Sequence, residues 1–379
     1  MKRLLTIALA LCLLAGQARA EIIFAYWGGE AAQSAVNEAL EKYNKKSTLA
    51  SAIAFDSREE YVRALPTLSA DVLLLDPALL YAQTRDGASR LVNIEDYAGI
   101  IELENFAYVP LRSLTVNDTL LGVPVSGGAR LYLWNGAASA DEIALAQAAA
   151  DWRAGGGEAL VAVDAPGCAL LLIARLQSLH GRDWLTEKGE VAFSQEEIEA
   201  ACRWLQSLMN AGVFAVYADP LAPWSEGRCA AVWIDCADAP AYQAAAPEGA
   251  AVTLLSHIAS SLPFEGDMQW AGRALGISAA SANAPQAAGF IQFLLNSDKG
   301  ARALADAFGT PLSTDGLVSA NRYRLLDASL TAAAKEALSW GRYALPYGFS
   351  AHTEAYAEMA SALPANAAQA ARLLREMWE

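Results

Sequence analysis

Two periods of hydrophobic spacing run along the chain. Ile22 to Trp27 is an unbroken apolar run with β-branched and aromatic side chains, closed by Gly28-Gly29, and Asp71 to Leu75 holds a second such run. Short continuous apolar runs bounded by turn residues predict strands covered on both faces. A helix is predicted between them over Ala31 to Tyr43, so strand, helix and strand alternate as in a doubly wound α/β sheet. From Asp141 to Gly212 the spacing is mainly helical, interrupted by Gly155-Gly156-Gly157. Helices are predicted over Leu170 to His180 and over Gln195 to Asn210, the latter with Ile198, Cys202, Leu205 and Leu208 on one stripe. Strands return at Ala230 to Asp235 and Ala251 to Leu255. Gln269 to Ser313 then reads as a small-residue strand and two amphipathic helices. Ala287, Phe290, Ile291, Leu294 and Leu295 recur at helical spacing, with Asn283 near the N-cap and Pro285 in the first turn. Ser297 caps the second helix, which carries Ala301, Leu304, Ala305 and Phe308 and stops at Gly309 before Pro311.

The first twenty residues follow a different logic. Lys2 and Arg3 precede an apolar run from Leu4 to Gly16, and Ala18-Arg19-Ala20 has the form of a cleavage site, so a secretory signal over 1–20 is expected, with the mature chain starting at Glu21. The run is too short to span a bilayer, and no other stretch approaches the ~20 residues a transmembrane helix needs. A lipid anchor is not expected, because Gln17 stands where a lipobox cysteine would be. Cleavage removes Lys2, Arg3 and Arg19, which moves the formal charge from −15 to −18. A strongly negative chain with no basic stripe repels phosphate backbones, which excludes nucleic acid as a partner; the same charge would steer cations. Hydrophobic residues make up 54% of the chain with a mean hydropathy of +0.21, and they come largely from Ala-rich helical segments.

Export would leave Cys168, Cys202, Cys229 and Cys236 in an oxidising space, either as two disulfides in any of three pairings or as buried free thiols. No metal site is expected: no C-x-x-C occurs, and His180, His257 and His352 lie far apart. Gly348 to His352 is the nearest string to a hydrolase nucleophile elbow, yet it lacks the closing Gly and a preceding strand. No catalytic residue and no cofactor is expected.

Five segments stand in one order and spacing: EIIFAYWGGE (Glu21 to Glu30), DVLLLDP (Asp71 to Pro77), LGVPVSGGARLYLWN (Leu121 to Asn135), EGRCAAVWI (Glu226 to Ile234) and Gln269 to Ser313. Together they resemble the extracellular solute-binding proteins of family 1, the receptors of ABC importers, over most of the mature chain. The resemblance implies two discontinuous α/β lobes of the type II periplasmic-binding kind, one holding 21–123 and 259–312, the other 124–258 and 313–379. It also implies three crossovers, near Gly122 to Gly128, Thr253 to Ile258 and Thr310 to Gly316, that act as a hinge. The chain departs from the family pattern in its short stretch between Phe55 and Asp71 and in Cys236.

On this resemblance the protein is expected to be a monomeric receptor that takes a small solute, a sugar or oligosaccharide first, and delivers it to the permease subunits of an ABC importer. A polyamine or other small cation is the second reading, a secreted hydrolase or a secreted adhesion protein the competitors from other classes. Ligands of such sheets sit outside the carboxyl ends of the strands. The candidate binding residues are therefore Trp27 with the Gly28 and Gly29 amides, Asp76, Ser126 with Gly127, Asp235, Trp270 and Tyr347. Aromatic faces suit the C–H side of a sugar ring, and carboxylates suit paired hydroxyls. Each has a packing alternative: Trp27 as core, Asp76 before Pro77 as a cap, and the glycines as turn or crossover flexibility. Trp224 and Trp233 are expected to pack.

Overall fold

The computed structural model describes residues 21–45, 49–84, 89–106, 108–136, 145–186, 190–236, 238–255, 268–308, 328–333, 343–344 and 352–378. The expected signal segment, the elbow-like Gly348 to Ala351, the crossover near Thr310 to Gly316 and Tyr347 lie outside these residues.

In the first half, β1 (Ile22–Trp27) lies between β2 (Ala50–Phe55) and β3 (Val72–Leu75) and runs parallel to both. Helix α1 (Glu30–Asn44) returns the chain from β1 to β2 and buries Ala32, Val36, Ala39, Leu40 and Tyr43, an i, i+3/i+4 stripe against the sheet. Helix α2 (Arg58–Ala64) starts at Ser57, whose hydroxyl accepts from the Glu60 amide at 3.2 Å. Helix α3 (Pro77–Ala82) starts at Asp76, whose Oδ1 accepts from the Leu79 amide at 2.7 Å. The hairpin of β4 (Thr115–Val116) and β5 (Thr119–Leu120) turns on Asn117 and Asp118 with φ of 49° and 58°, the left-handed pair that a tight two-residue hairpin needs.

The second half is built around β7 (Ala159–Val163), which pairs parallel with both β8 (Phe214–Val216) and β9 (Cys229–Asp235). Three helices precede or join these strands: α4 (Leu145–Ala154), α5 (Ala165–His180) and α6 (Gln195–Asn210). Helix α5 is apolar nearly all round because it is buried from Gly167 to Ala174, between the sheet and the C-terminal helices. It begins five residues earlier than its spacing predicts, since Asp164 caps it and Pro166 fits the first turn. Helix α6 has the predicted bounds and a complete capping box between Ser194 and Glu197.

One strand serves both halves. Over Val123 to Ala129, β6 (Val123–Asn135) pairs antiparallel with β11 (Met268–Ile277), which in turn pairs with β3. Over Arg130 to Asn135 the same strand pairs with β9 and with β10 (Val252–Leu255). Two hydrophobic bodies result. The first gathers Phe24, Leu74, Val123 and Leu275 with α7 (Ala284–Asn296) and α8 (Asp298–Phe308). Its aromatic contacts include Tyr43 against Phe290 with ring centroids 4.9 Å apart. The second gathers Tyr132, Val161, Leu172 and Leu205 with α9 (Thr353–Ala362) and α10 (Ala367–Glu376), and a satellite of Leu131, Leu133, Trp224 and Val232 covers the other sheet face. Trp224 and Trp233 are buried as expected. Cys168, Cys202 and Cys229 are buried free thiols, and Cys236 is buried as well.

Candidate functional site

At the carboxyl ends of β1 and β3 the first half assembles a polar and aromatic cluster. Trp27 is 7% exposed, its ring 5.0 Å from that of Tyr61. Arg273 arrives from β11, where the register with β6 slips on both sides of it, a bulge that re-aims the side chain. Its Cζ stands 5.1 Å from the Trp27 ring and 5.0 Å from the Phe308 ring, so the guanidinium lies beside two aromatic residues. Burial pulls this guanidinium below its ordinary pKa, and the charge of Asp76 acts in the opposite direction. Its Nη1 is sealed from solvent without a hydrogen-bond partner. Asp76 is differently placed: Oδ1 caps α3, and Oδ2 accepts from Arg58 Nε at 2.6 Å. That bond holds the Arg58 guanidinium above its usual pKa. Burial, and then the Asp76 charge, push the Tyr61 phenol up as well.

The second half mirrors this arrangement. Val163 and Asp235 end parallel strands, which brings Asp164 and Asp235 to one edge, and the antiparallel β6 sets Arg130 opposite Asp235. Arg130 is nearly closed off, its side chain 6% exposed. Nη2 donates to Asp164 Oδ2 at 2.9 Å, Nη1 donates to the Trp233 carbonyl at 3.0 Å, and Cζ lies 5.0 Å from the Trp233 ring centroid. Asp164 also accepts from the Gly167 amide at 2.7 Å. A β-carbon on Gly167 would lie 2.3 Å from Arg130 Nη1, so the glycine makes room for the guanidinium.

Ser126, buried on β6, is the register partner of Arg273, and Arg130 follows four residues later on the same strand. At about 3.3 Å per residue this places the two clusters roughly 13 Å apart along β6.

Of the residues singled out from sequence, the structure brings Trp27, Gly28, Asp76 and Ser126 to the first edge and Asp235 to the second. Trp27 packs against Tyr61 and Arg273 within the core. Gly28 is confined by α1: a β-carbon there would lie 2.6 Å from Ala32 Cβ. Gly29 is the exposed N-cap residue of α1. Gly127 pairs with Ala271 and Trp270 with Gly128 at the point where β11 meets the crossing strand, Trp270 being described by its backbone alone. Arg58, Arg130, Asp164 and Arg273 were not singled out. The signal existed: a lone arginine inside an apolar strand, as in ARLYLW or GRALGI, must find a partner or a ring when it is buried. Asp164 before Ala165-Pro166 repeats the form of Asp76-Pro77 after a buried strand. Among the described residues no group of three or more His, Cys, Asp or Glu could hold a metal ion.

Two sheets that share a strand, each with a polar cluster at its strand ends, define a two-lobed α/β architecture. No protein-family model matches the sequence, and no curated protein does. Among solved structures the chain is similar to a periplasmic oligogalacturonide binding protein from Yersinia enterocolitica, at 17% identity and a TM-score of 0.81 over 94% of this chain and 98% of that one. It is similar to a de novo designed cysteine esterase, at 17% identity and a TM-score of 0.81 over 95% and 97%. It is also similar to an extracellular solute-binding protein of family 1 from Alicyclobacillus acidocaldarius, at 17% identity and a TM-score of 0.75 over 95% and 97%. The chain has the type II periplasmic-binding fold.

Proposed function

We propose that the protein is an exported solute receptor that closes two lobes on a saccharide and hands it to the permease of an ABC importer. The observation that carries this reading is β6, which pairs with β11 up to Ala129 and with β9 from Arg130 onward, so a few torsions at that change of partner alter the angle between two separately packed bodies. The lobes are assigned as 21–123 with 259–312 and 124–258 with 313–379, and the receptor acts as a monomer. The candidate ligand contacts are Gly28, Gly29, Asp76, Ser126, Gly127, Asp235, Trp270 and Tyr347, with Trp27 holding Arg273 in place. Two of the similar structures carry solute-binding names, one for an oligogalacturonide, which supports a sugar. Among the described residues no helix is long and apolar enough to cross a membrane.

A hydrolase is the weaker reading, although the designed esterase has the same fold. Cysteine chemistry needs a thiolate. Burial pushes the Cys202 thiol up to about 12 and raises Cys168 and Cys229 in the same direction.

The test combines a melting-temperature screen with solution scattering, using neutral sugars, acidic sugars, polyamines and amino acids. A receptor gains stability by mass action and shrinks in radius of gyration with its own solute, and it returns that solute unchanged. Turnover of an ester or polymer with no change in scattering would remove the receptor reading.

A further inference from the structure

Two of the carboxylates at the strand ends are already committed. Asp76 accepts from Arg58 and from the Leu79 amide, and Asp164 accepts from Arg130 and from the Gly167 amide. A polyamine receptor needs acids free to meet ammonium groups, and these two are neutralised by guanidinium groups of the same edge. Arg273 is the opposite case. Among the described residues its side chain forms no hydrogen bond or ion pair, it is only partly buried, and the Trp27 and Phe308 rings lie beside its guanidinium. Holding a desolvated cation against rings offsets part of the lost hydration, yet ring faces accept no in-plane N–H bonds. Nη1 is closed off, so the edge open to a solute is that of Nε and Nη2, a planar pair of unpartnered donors that matches an oxyanion taking two parallel N–H bonds. The position fits as well: Arg273 is the register partner of Ser126, at the start of the segment that joins the lobes.

We propose that Arg273 anchors an oxyanion on the solute, so that the receptor takes a saccharide bearing a carboxylate or phosphate in preference to a neutral sugar or a cation. This rests on the receptor reading above. The overall negative charge does not oppose it at contact range, because exposed charges beyond about 8 Å are screened at physiological salt.

The experiment measures affinity and scattering for the full mature chain with digalacturonic acid, its dimethyl ester, glucose 6-phosphate, glucose, maltose and spermidine. Either digalacturonic acid or glucose 6-phosphate should bind and close the molecule, which identifies the oxyanion as carboxylate or phosphate. The matching uncharged partner, dimethyl ester or glucose, should bind at least tenfold more weakly. That comparison needs no protein variant and so survives a folding defect. In R273Q, with an unliganded melting temperature near wild type, the charged solute should lose at least tenfold in affinity, while R273K retains more of it and gains salt dependence. A neutral or cationic solute that closes wild type and R273Q equally well overturns the anchor and leaves the receptor standing. A panel in which no solute shifts melting or scattering overturns both.

Discussion

Gly28 stands where β1 hands over to α1, and its backbone is hemmed in by both. Its amide donates to the Phe55 carbonyl at 3.0 Å, and a β-carbon would meet Ala32 Cβ at 2.6 Å, closer than any real pair of such atoms. Gly28→Ala should therefore destabilise the protein by about 1–3 kcal/mol, read as a lower denaturant midpoint; an unchanged midpoint would show that α1 moves aside freely. The sequence marked this glycine as a turn residue, but the reason for it is helix packing, which no local pattern reveals. Asp164 illustrates a second kind of residue. Its carboxylate meets a guanidinium whose side chain is 6% exposed. Asp164→Ala should cost about 3–5 kcal/mol, because it removes the carboxylate bonded to that buried cation, whereas Arg130→Met should cost less, because Asp164 is itself a third exposed and stays hydrated. Equal unfolding free energies for the two variants would argue against a buried ion pair.

At the level of elements, the most legible pieces were those whose period is strong and whose ends carry their own stop signals. β1, α6 and α7 fall where their spacing places them; Pro285 and Ser297 stand at the helix starts as expected, and Asn283 takes the N-cap position of α7 without a side-chain cap bond. β2 was not legible, since ASAIAF has small residues and no clean alternation, and it is a strand because β1 offers it a parallel partner. Helix α9 adds a titratable element. His352, at its N-cap, lies 4.8 Å from the Trp378 ring and 6.2 Å from Tyr356, and burial pulls its imidazole below the ordinary value of about 6.5. A depressed folded value means that the unfolded chain takes up the proton first. The contribution is thus whole above pH ~6.5 and is lost as pH falls through the lower folded value. Wild type should lose more unfolding free energy than His352→Gln between pH 7.5 and pH 5.5; parallel pH profiles would contradict it.

For the molecule as a whole, the decisive feature is that two hydrophobic bodies are joined through strands. The apolar spacing of the chain, its α/β alternation and the order of five short segments were enough to reach the architecture and its crossing strand. Periodicity is local, and capping, turn and burial preferences act within a few residues, so single segments carry them. Only the tertiary structure decided which segments meet across a hundred residues or more. It made Val123 to Asn135 one strand that pairs first with β11 and then with β9 and β10, buried the four cysteines, packed Trp27 against Tyr61 and Arg273, and set Arg130 on Asp164 while leaving Arg273 beside two rings. Such partners come from register between distant strands, and a lone arginine in an apolar run announces that it needs a partner without saying which.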